Sequence, residues 1–323
     1  MFYYFYLLYL YLIQTPLYYV LSVIIFLILT FKTLQWVLNN KVNIKSLESY
    51  KNKVVIVTGA SGGIGEKIAF KYAELGSKVA IVARRVELLE KLKKDIVKQL
   101  NIDSKQILVV QCDLCNENEC EQMIERVVRE WNRIDICVWN AGVGSLIEFD
   151  KLDQIESRQD RFKIFRDNME INYFSLVYCT SFALPYLKQQ KGSIVVVSSL
   201  AGKYGTPLRT SYSASKHAVQ GFFNSLRNEL SNQIQISIIC PGFVLTDFHQ
   251  KVATIDGKPI ERESHSFMTA DQCATIVLKT ERCNKREVIP QLKAKVGTYL
   301  QPILPELVDV MTNKVAKGSL KNK

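Results

Sequence analysis

The chain has 323 residues, and roughly 270 of them follow a hydrophobic leader, which is the size of one α/β domain. Its net charge is +11, yet no basic motif or aromatic stacking pattern accompanies the lysines, which argues against nucleic acid as a partner. Eight cysteines and three scattered histidines form neither a disulfide framework nor a zinc pattern, so we expect reduced thiols and no metal.

The first 31 residues carry no charged side chain and predict a membrane segment. About 20 apolar residues span a bilayer, and residues 17–37 supply them. We therefore predict a transmembrane anchor at residues 1–38 and a basic juxtamembrane linker at residues 39–50, whose lysines favour a cytosolic location for the domain that follows. A cleaved signal peptide is one alternative, and a two-pass hairpin with residues 1–13 as its first arm is another.

Seven short apolar runs follow in chain order and predict buried strands, at residues 54–57, 79–82, 107–110, 134–138, 194–197, 236–239 and 288–289. Helical patterns separate most of them, which predicts a parallel sheet covered on both faces. The predicted fold class is α/β, a Rossmann-type doubly wound sheet in a single domain of residues 51–290, with a ligand crevice at the carboxyl ends of the strands. Residues 144–168 are an ill-patterned charged stretch that we expect to be a surface elaboration.

A glycine-rich segment, Thr58 to Gly65, follows the first predicted strand. Because Gly59, Gly63 and Gly65 lack side chains, the backbone can turn tightly and approach a pyrophosphate. The phosphate charge would then face the amide groups and dipole of a helix that opens near Ile64. Such turns also occur in structural loops, so the motif gains its weight from the strand before it and the helix after it.

Tyr212 and Lys216 stand four residues apart on a predicted helix, so their side chains share one face. A phenol at a carbonyl oxygen can donate a proton, and a nearby cation stabilises the phenolate and lowers its pKa. Ser199, at the end of a buried strand, is placed to hold the substrate oxygen. With 15 tyrosines in a lysine-rich chain one such pair is expected by chance, so the pair counts only together with the glycine turn.

In combination, these motifs with Asn140-Ala141-Gly142, Asn172 and Pro241-Gly242 resemble the classical short-chain dehydrogenase/reductase (SDR) family. The resemblance covers the predicted domain and is strongest to membrane-anchored 11-beta-hydroxysteroid dehydrogenase-like and dehydrogenase/reductase member 7-like proteins. It implies a location at the endoplasmic reticulum membrane. It also implies a catalytic tetrad of Asn172, Ser199, Tyr212 and Lys216. In this tetrad, Asn172 would hold a water molecule that relays protons to Lys216.

The resemblance further implies which residues contact the cofactor. Asp113 would accept a hydrogen bond from the adenine amino group, Asn140 would line the cofactor cleft, and Thr246 would touch the carboxamide. Trp139 departs from the family, since many members have asparagine there. The full set implied is Thr58, Gly59, Ser61, Gly62, Gly63, Ile64, Gly65, Arg84, Arg85, Asp113, Leu114, Asn140, Ala141, Gly142, Tyr212, Lys216, Pro241, Gly242, Val244 and Thr246.

The end of the second predicted strand indicates which nicotinamide cofactor is preferred. An acidic residue there would bind an unphosphorylated ribose, but the chain has Ala83, Arg84 and Arg85. No carboxylate repels a 2′-phosphate, and a guanidinium can bind that phosphate bidentately. NADP(H) is favoured over NAD(H), the alternative being that both arginines form a solvated basic corner.

We therefore expect an NADP(H)-dependent oxidoreductase that interconverts a lipophilic carbonyl and alcohol, such as a steroid, a retinoid or a related lipid, with Tyr212 as general acid/base. A 3-keto lipid reductase, acting on a 3-ketoacyl-CoA or 3-ketosphinganine, is an alternative, and a catalytically inactive, membrane-tethered nucleotide-binding scaffold is another. The expected partners are the lipophilic substrate and the lipid bilayer, and homodimer formation is left open. The amphipathic, basic tail of residues 291–323 either rests on a membrane or packs on the domain. Substrate-lining candidates, which could equally be core or lid residues, are Phe243, Leu245, Phe248 and Phe267.

Overall fold

The structure is a computed structural model that describes residues 4, 6, 17–32, 47–155, 157–248, 252, 254 and 267–318. It divides into two compact units, Met1–Ile44 and Lys45–Lys323. In the first, residues 17–32 form a helix, α1, whose apolar side chains are exposed. Among the described residues, no helix is both long enough and apolar enough to cross a bilayer. The predicted anchor and linker fall in part outside the described residues, and both stay predictions.

The described residues of the second unit contain nine strands: β1 (Val54–Thr58), β2 (Lys78–Ala83), β3 (Ile107–Gln111), β4 (Ile136–Trp139), β5 (Ser193–Val197), β6 (Gln235–Ile239), β7 (Val244–Leu245), β8 (Met268–Thr269) and β9 (Glu287–Val288). Seven of them form a parallel sheet in the order β3-β2-β1-β4-β5-β6-β9, which confirms each predicted strand to within about two residues at its ends. The pair β7 and β8 forms a small separate sheet that the sequence did not predict.

The helices described in this unit are α2 (Gly63–Glu74), α3 (Val86–Leu100), α4 (Glu117–Trp131), α5 (Arg158–Met169), α6 (Ser175–Gln190), α7 (Thr210–Glu229), α8 (Ala270–Arg282), α9 (Leu292–Leu300) and α10 (Pro305–Gly318), and six of them cover the two faces of the sheet. Apolar side chains of α2, α3 and α8 form one core with alternate residues of the strands. Those of α4, α6 and α7 form the second core on the opposite face. The predicted Rossmann-like α/β fold is thereby confirmed.

The strand order also shows where a ligand crevice lies. From β1 the chain proceeds outward to β2 and β3, then returns to place β4 on the other side of β1. In doubly wound sheets, ligands bind at the carboxyl ends of the strands beside such a switch point. Gly59 follows β1, Asn140 follows β4, and Ser199 and Pro241 follow β5 and β6 at the same edge.

The charged stretch before Asn172 is more regular than its sequence indicates. It contains a 3-10 segment, Phe149–Gln154, and helix α5, which continues through a π-helical turn, Glu170–Phe174, into α6. Asn168 is the buried residue of α5. Because a helix without an apolar stripe lacks the pattern on which helix prediction depends, the sequence did not reveal it.

Opposite the crevice, Asp135 ties the amino ends of β1 and β4 together. Its carboxylate is 2% exposed and accepts hydrogen bonds from Lys53, Arg133 and the backbone N–H of Val54 at 2.7 to 2.9 Å. Burial alone would raise the pKa of Asp135, but these three partners together lower it. The pairing fixes the register at which both strands enter the sheet.

Candidate active site

The glycine turn after β1 packs too closely for side chains at two of its glycines. Gly59 has φ +66°, in the left-handed region, and a Cβ there would lie 2.9 Å from the backbone of Ala141. At Gly65, a Cβ would lie 2.4 Å from the Gly59 carbonyl oxygen and 2.6 Å from Nδ2 of Asn140. The turn and the first residues of α2 therefore pack directly on the loop after β4.

Two of the predicted cofactor residues, Thr58 and Asn140, hold this turn in place. The backbone N–H groups of Asn140 and Ala141 donate to Oγ1 of Thr58 at 3.0 and 3.2 Å, and Nδ2 of Asn140 donates to the Thr58 carbonyl at 3.0 Å. Thr58 is fully buried. Thr58 therefore supports the loop after β4 from the interior of the protein, whereas Asn140 lines the cleft.

The turn opens at the amino end of α2, where a phosphate would fit. Gly62 is the N-cap residue, and no side chain caps the helix there. A Cβ on Gly62 would meet nothing within 4 Å, so the space in front of the helix is open. Uncapped N–H groups with the positive end of a helix dipole form a site for an anion. These residues fit the pyrophosphate of a dinucleotide.

Arg84 and Arg85 follow β2 and line the same cleft as the glycine turn. Nη2 of Arg85 donates to Oγ of Ser61 at 2.9 Å, which joins a guanidinium to the turn. Asp113 and Leu114, after β3, complete this end of the cleft.

The catalytic candidates meet at the other end. Ser199 follows β5, and its hydroxyl lies near enough to the Tyr212 phenol of α7 to lower the pKa of that phenol. One turn further along α7, Nζ of Lys216 lies 5.8 Å from the centroid of the Tyr212 ring and donates to the Val197 carbonyl at 3.4 Å. Tyr212 and Lys216 are 7% and 3% exposed. The helical spacing therefore brings both groups under one buried wall of the cleft.

Asn172 lies on the π-helical turn behind this wall. Its Oδ1 accepts from the Val143 N–H at 2.8 Å, and its Nδ2 donates to the Val143 carbonyl and to Oγ of Ser215, both at 2.9 Å. A Cβ on Gly142 would lie 2.9 Å from Oδ1 of Asn172 and 3.5 Å from Nζ of Lys216. All four residues of the predicted tetrad are thus brought together, although the Asn172 side chain is itself fully engaged.

A continuous cleft of about 1900 Å³ joins the two ends. The predicted site residues line it except for Thr58, Gly65 and Asn172, which lie behind its wall. Its walls also include aromatic and aliphatic side chains from the loop after β6 and from the C-terminal helices, namely Phe243, Leu245, Phe248, Phe267, Val308 and Met311.

Comparisons with known proteins agree with this geometry. The family model described as short chain dehydrogenase matches residues 53–256, more than half of the chain. The chain is a short-chain dehydrogenase/reductase. A protein of Dictyostelium discoideum named dehydrogenase/reductase SDR family protein 7-like is 54% identical over 309 residues, which are 94% of this chain and 96% of that protein.

More distant relatives preserve the same fold. An Arabidopsis thaliana protein named 11-beta-hydroxysteroid dehydrogenase-like 2 is 34% identical over 277 residues, 85% of each chain. A solved structure of a Caenorhabditis elegans short-chain dehydrogenase/reductase of unknown function, with cofactor, superposes with a TM-score of 0.65 at 25% identity and covers 76% of this chain and 96% of that chain. This SDR is accordingly an oxidoreductase with the nicotinamide-binding Rossmann fold of its family.

The ionisation of the SDR catalytic candidates differs from the sequence-based expectation. Burial raises the pKa of Tyr212, and the Ser199 hydrogen bond and the Arg209 charge offset only part of that rise. Burial also lowers the pKa of Lys216 to about 8. The prediction that a cation brings the phenol below its ordinary pKa is therefore wrong for this arrangement of side chains, because burial outweighs the nearby charges.

Two residues of the SDR cleft have no recognisable signal in the sequence. Gln291, before α9, accepts a hydrogen bond from the Gly242 N–H at 2.9 Å and so holds the loop after β6. Arg209, the N-cap residue of α7, projects into the cleft beside Tyr212. Both are brought to the site by tertiary packing.

Trp139, the departure from the family pattern, lies in the core. It is fully buried, it is absent from the cleft lining, and its indole N–H donates to Oγ1 of Thr180 at 3.0 Å. A satisfied, buried indole adds packing area to the second core and leaves the cleft unchanged.

Proposed function

We propose that this SDR interconverts the carbonyl and alcohol forms of a lipophilic compound, using NADP(H) as hydride carrier and Tyr212 as the general acid/base. One observation carries the proposal: the Tyr212 and Ser199 hydroxyls, with Lys216 beside them, line one end of a cleft that begins at an uncapped glycine turn. A hydride carrier bound along that cleft would reach a carbonyl held by the two hydroxyls.

The side chains divide the proton chemistry among them. When bound, the reduced nicotinamide supplies a hydride to the carbonyl carbon. The Tyr212 phenol, kept protonated at neutral pH by its raised pKa, donates its proton to the carbonyl oxygen. Ser199 hydrogen-bonds the same oxygen and holds it at the phenol. Lys216, whose pKa is about 8, is largely charged at pH 7 and stabilises the phenolate that remains.

NADP(H) is proposed over NAD(H) because of the charge at the end of β2. Arg84 and Arg85 line this part of the cleft, and no acidic side chain follows the strand. The hydrogen bond from Arg85 to Ser61 positions its guanidinium against the glycine turn, where a 2′-phosphate could accept from its remaining N–H groups.

A lipophilic substrate is supported by the aromatic walls at the Tyr212 end. The Phe248 ring lies 6.3 Å from that of Tyr212, and Phe243 and Phe267 stack at 5.2 Å. Buried Val308 brings α10 against the same region. The relative named as 11-beta-hydroxysteroid dehydrogenase-like adds weight to a steroid-type carbonyl.

The test uses full-length, detergent-solubilised protein with NADPH or NADH and a panel of steroid, retinoid and long-chain 3-keto compounds. Oxidation of the reduced nicotinamide is followed by absorbance, with Tyr212→Phe and, as a control, Tyr186→Phe at a half-buried tyrosine of α6 outside the cleft lining. NADPH-dependent turnover should fall by roughly 10²- to 10⁴-fold in Tyr212→Phe and stay unchanged in Tyr186→Phe. Turnover of the 3-keto compounds alone would indicate a 3-keto lipid reductase, and tight NADPH binding without turnover on any compound would favour a scaffold.

We also propose that residues 1–38 anchor the enzyme in the endoplasmic reticulum membrane with its catalytic domain in the cytosol. The uncharged stretch and the lysines that follow it support this. The full chain should stay with the membrane pellet after carbonate washing, and deletion of residues 1–38 should release it. Digestion of the domain by protease added to sealed microsomes would support the cytosolic orientation, whereas protection would contradict it.

A further inference from the structure

Arg209 is an almost fully buried cation at the substrate end of the cleft. Its side chain is 9% exposed, and Cζ lies 5.6 Å from the centroid of the Tyr212 ring. Within the part of the chain that the structure describes, its guanidinium makes no hydrogen bond and no ion pair. No Arg209 nitrogen is among the fully enclosed, unsatisfied polar atoms, and the residue lines the cleft, so its N–H donors remain accessible to a ligand there.

The protein supplies little compensation for this buried charge. Burial lowers the pKa of Arg209, and the Tyr212 phenol is the group that acts in the opposite direction. Among the described residues, the carboxylates that line the cleft either have another hydrogen-bond partner or are exposed to solvent. Glu66 pairs with Lys67, and Asp113 accepts from a backbone N–H. Asp247 is exposed. Among the described residues no carboxylate pairs with Arg209, so its guanidinium can pair with an anionic group of a substrate in the cleft.

The backbone before Arg209 is held in an unusual conformation. Leu208 has φ +67°, in the left-handed region that L-residues other than asparagine and aspartate rarely adopt. Its carbonyl accepts from the Ile147 N–H at 2.8 Å, a contact that fixes this conformation. Residues held in such a region are found where the surrounding structure determines them, often at ligand-binding sites. The conformation of Leu208 thus helps to place the Arg209 guanidinium in the cleft.

We propose that Arg209 is a substrate-specificity residue that binds a carboxylate lying a few bonds from the reacting carbonyl, so that the preferred substrates are lipophilic oxo acids. This inference rests on the proposed function, since it assumes that the substrate carbonyl lies at Tyr212. One carboxylate matches the planar fork of one guanidinium, and the aromatic walls would receive the apolar chain. Lys216, a second cation beneath the same phenol, makes this end of the cleft more favourable for an anion.

A competing role for Arg209 is to act through Tyr212, because its charge lowers the pKa of the phenol. Loss of that effect would shift the pH profile equally for charged and neutral substrates. Loss of a carboxylate contact would instead lower the preference for an acid over its ester. The ratio of the two substrates therefore separates the roles.

The experiment uses the full-length protein with NADPH and compares 2-oxooctanoate and 4-oxooctanoate with their methyl esters. The protein should favour at least one acid over its ester in kcat/KM. That preference should fall on the order of 10- to 100-fold in Arg209→Gln and less in Arg209→Lys, which keeps the charge without the fork. Arg129→Gln, an exposed arginine on α4, should leave the preference unchanged.

A binding measurement distinguishes failure of this inference from failure of the proposed function. Calorimetric titration of the NADPH-loaded protein with octanoate and octanamide needs no turnover, and octanoate should bind more tightly in a way that Arg209→Gln abolishes. If carbonyls are reduced but neither acids nor octanoate are preferred, the carboxylate site is wrong while the enzyme activity stands. If octanoate binds through Arg209 and no carbonyl is reduced, the site stands and the activity is wrong. If Arg209→Gln does not fold, the test uses Arg209→Lys and the unmodified protein. The inference would be overturned if Arg209→Lys kept the full preference for the acid and the NADPH-loaded, unmodified protein bound octanoate and octanamide equally.

Discussion

Replacing Gly65 by alanine tests whether the glycine turn is packed as closely as the structure shows. The added Cβ would lie 2.4 Å from the Gly59 carbonyl oxygen and 2.6 Å from Nδ2 of Asn140, whereas ordinary contacts begin at 3.4 Å. Neither neighbour is the free end of a flexible side chain. One is backbone, and the other is an amide that donates to the Thr58 carbonyl at 3.0 Å. The turn or the loop after β4 must therefore move by about 1 Å.

The expected cost follows from opposing contributions. Insertion of a methyl group into a closely packed site costs about 1–3 kcal/mol, and loss of one hydrogen bond from Asn140 adds about 1 kcal/mol. Alanine restricts the unfolded chain and favours helix, which returns about 0.4–1 kcal/mol. We expect Gly65→Ala to lose about 1–3 kcal/mol of unfolding free energy. Because the same movement displaces the N–H groups at the start of α2, NADPH affinity should fall as well.

Urea unfolding of the detergent-solubilised full chain, followed by tryptophan fluorescence, measures the loss. Fully buried Trp139 reports on the sheet. The matched control is Gly221→Ala on the exposed face of α7, where a Cβ would meet nothing within 4 Å. That variant should gain about 0.5–1 kcal/mol from helix propensity. A Gly65→Ala protein as stable as the wild type, or stabilised like Gly221→Ala, would refute the close packing of turn and loop.

Three further predictions concern buried and surface charge. The pKa of Lys216 is about 8 in the folded protein and about 10.5 in the unfolded chain, so the folded state binds fewer protons between these two pH values. The free energy of unfolding should therefore rise with pH across that window. Lys216→Met should abolish this rise and increase the free energy of unfolding by about 3 kcal/mol at pH 7 in the same urea assay. Asp135→Asn should lose about 2–3 kcal/mol, because a buried carboxylate that accepts three hydrogen bonds is replaced by an uncharged amide, whereas Asp167→Asn, in an exposed pair, should lose less than about 1 kcal/mol; equal losses would contradict the burial argument. Arg85→Gln should reduce kcat/KM for NADPH by roughly 10- to 100-fold and leave kcat/KM for NADH unchanged. An equal reduction for both cofactors would indicate that Arg85 does not bind the 2′-phosphate.

The parts of this fold that the sequence predicts are those determined by local pattern. Strands buried on both faces read as continuous apolar runs, and each of the seven lies where such a run occurs. The glycine turn and the Tyr212 and Lys216 pair are likewise short-range features, because a turn and one helical spacing set their geometry. Once β1, β5 and β6 are recognised as parallel strands of one sheet, the motifs at their carboxyl ends must lie along the same edge.

Other parts depend on contacts between distant segments and leave no local signal. Gln291 supports Gly242 across 49 residues of sequence, and an isolated glutamine before a helix indicates nothing of this. Helix α5 carries no apolar stripe, so tertiary packing rather than periodicity maintains it. Arg209 reads as an ordinary polar residue ahead of α7, and only its 9% exposure distinguishes it.

Tyr212 shows why spacing alone does not determine chemistry. The four-residue interval correctly places a lysine under the phenol, but it carries no information about how much water reaches either group. The same walls that exclude water raise the pKa of Tyr212 and lower that of Lys216, so each group is shifted toward its neutral form. A neutral phenol is the form that donates a proton to a carbonyl, whereas oxidation of an alcohol requires the phenolate. The neutral phenol is therefore the predominant form at neutral pH, and any charge that enters beside it changes its pKa.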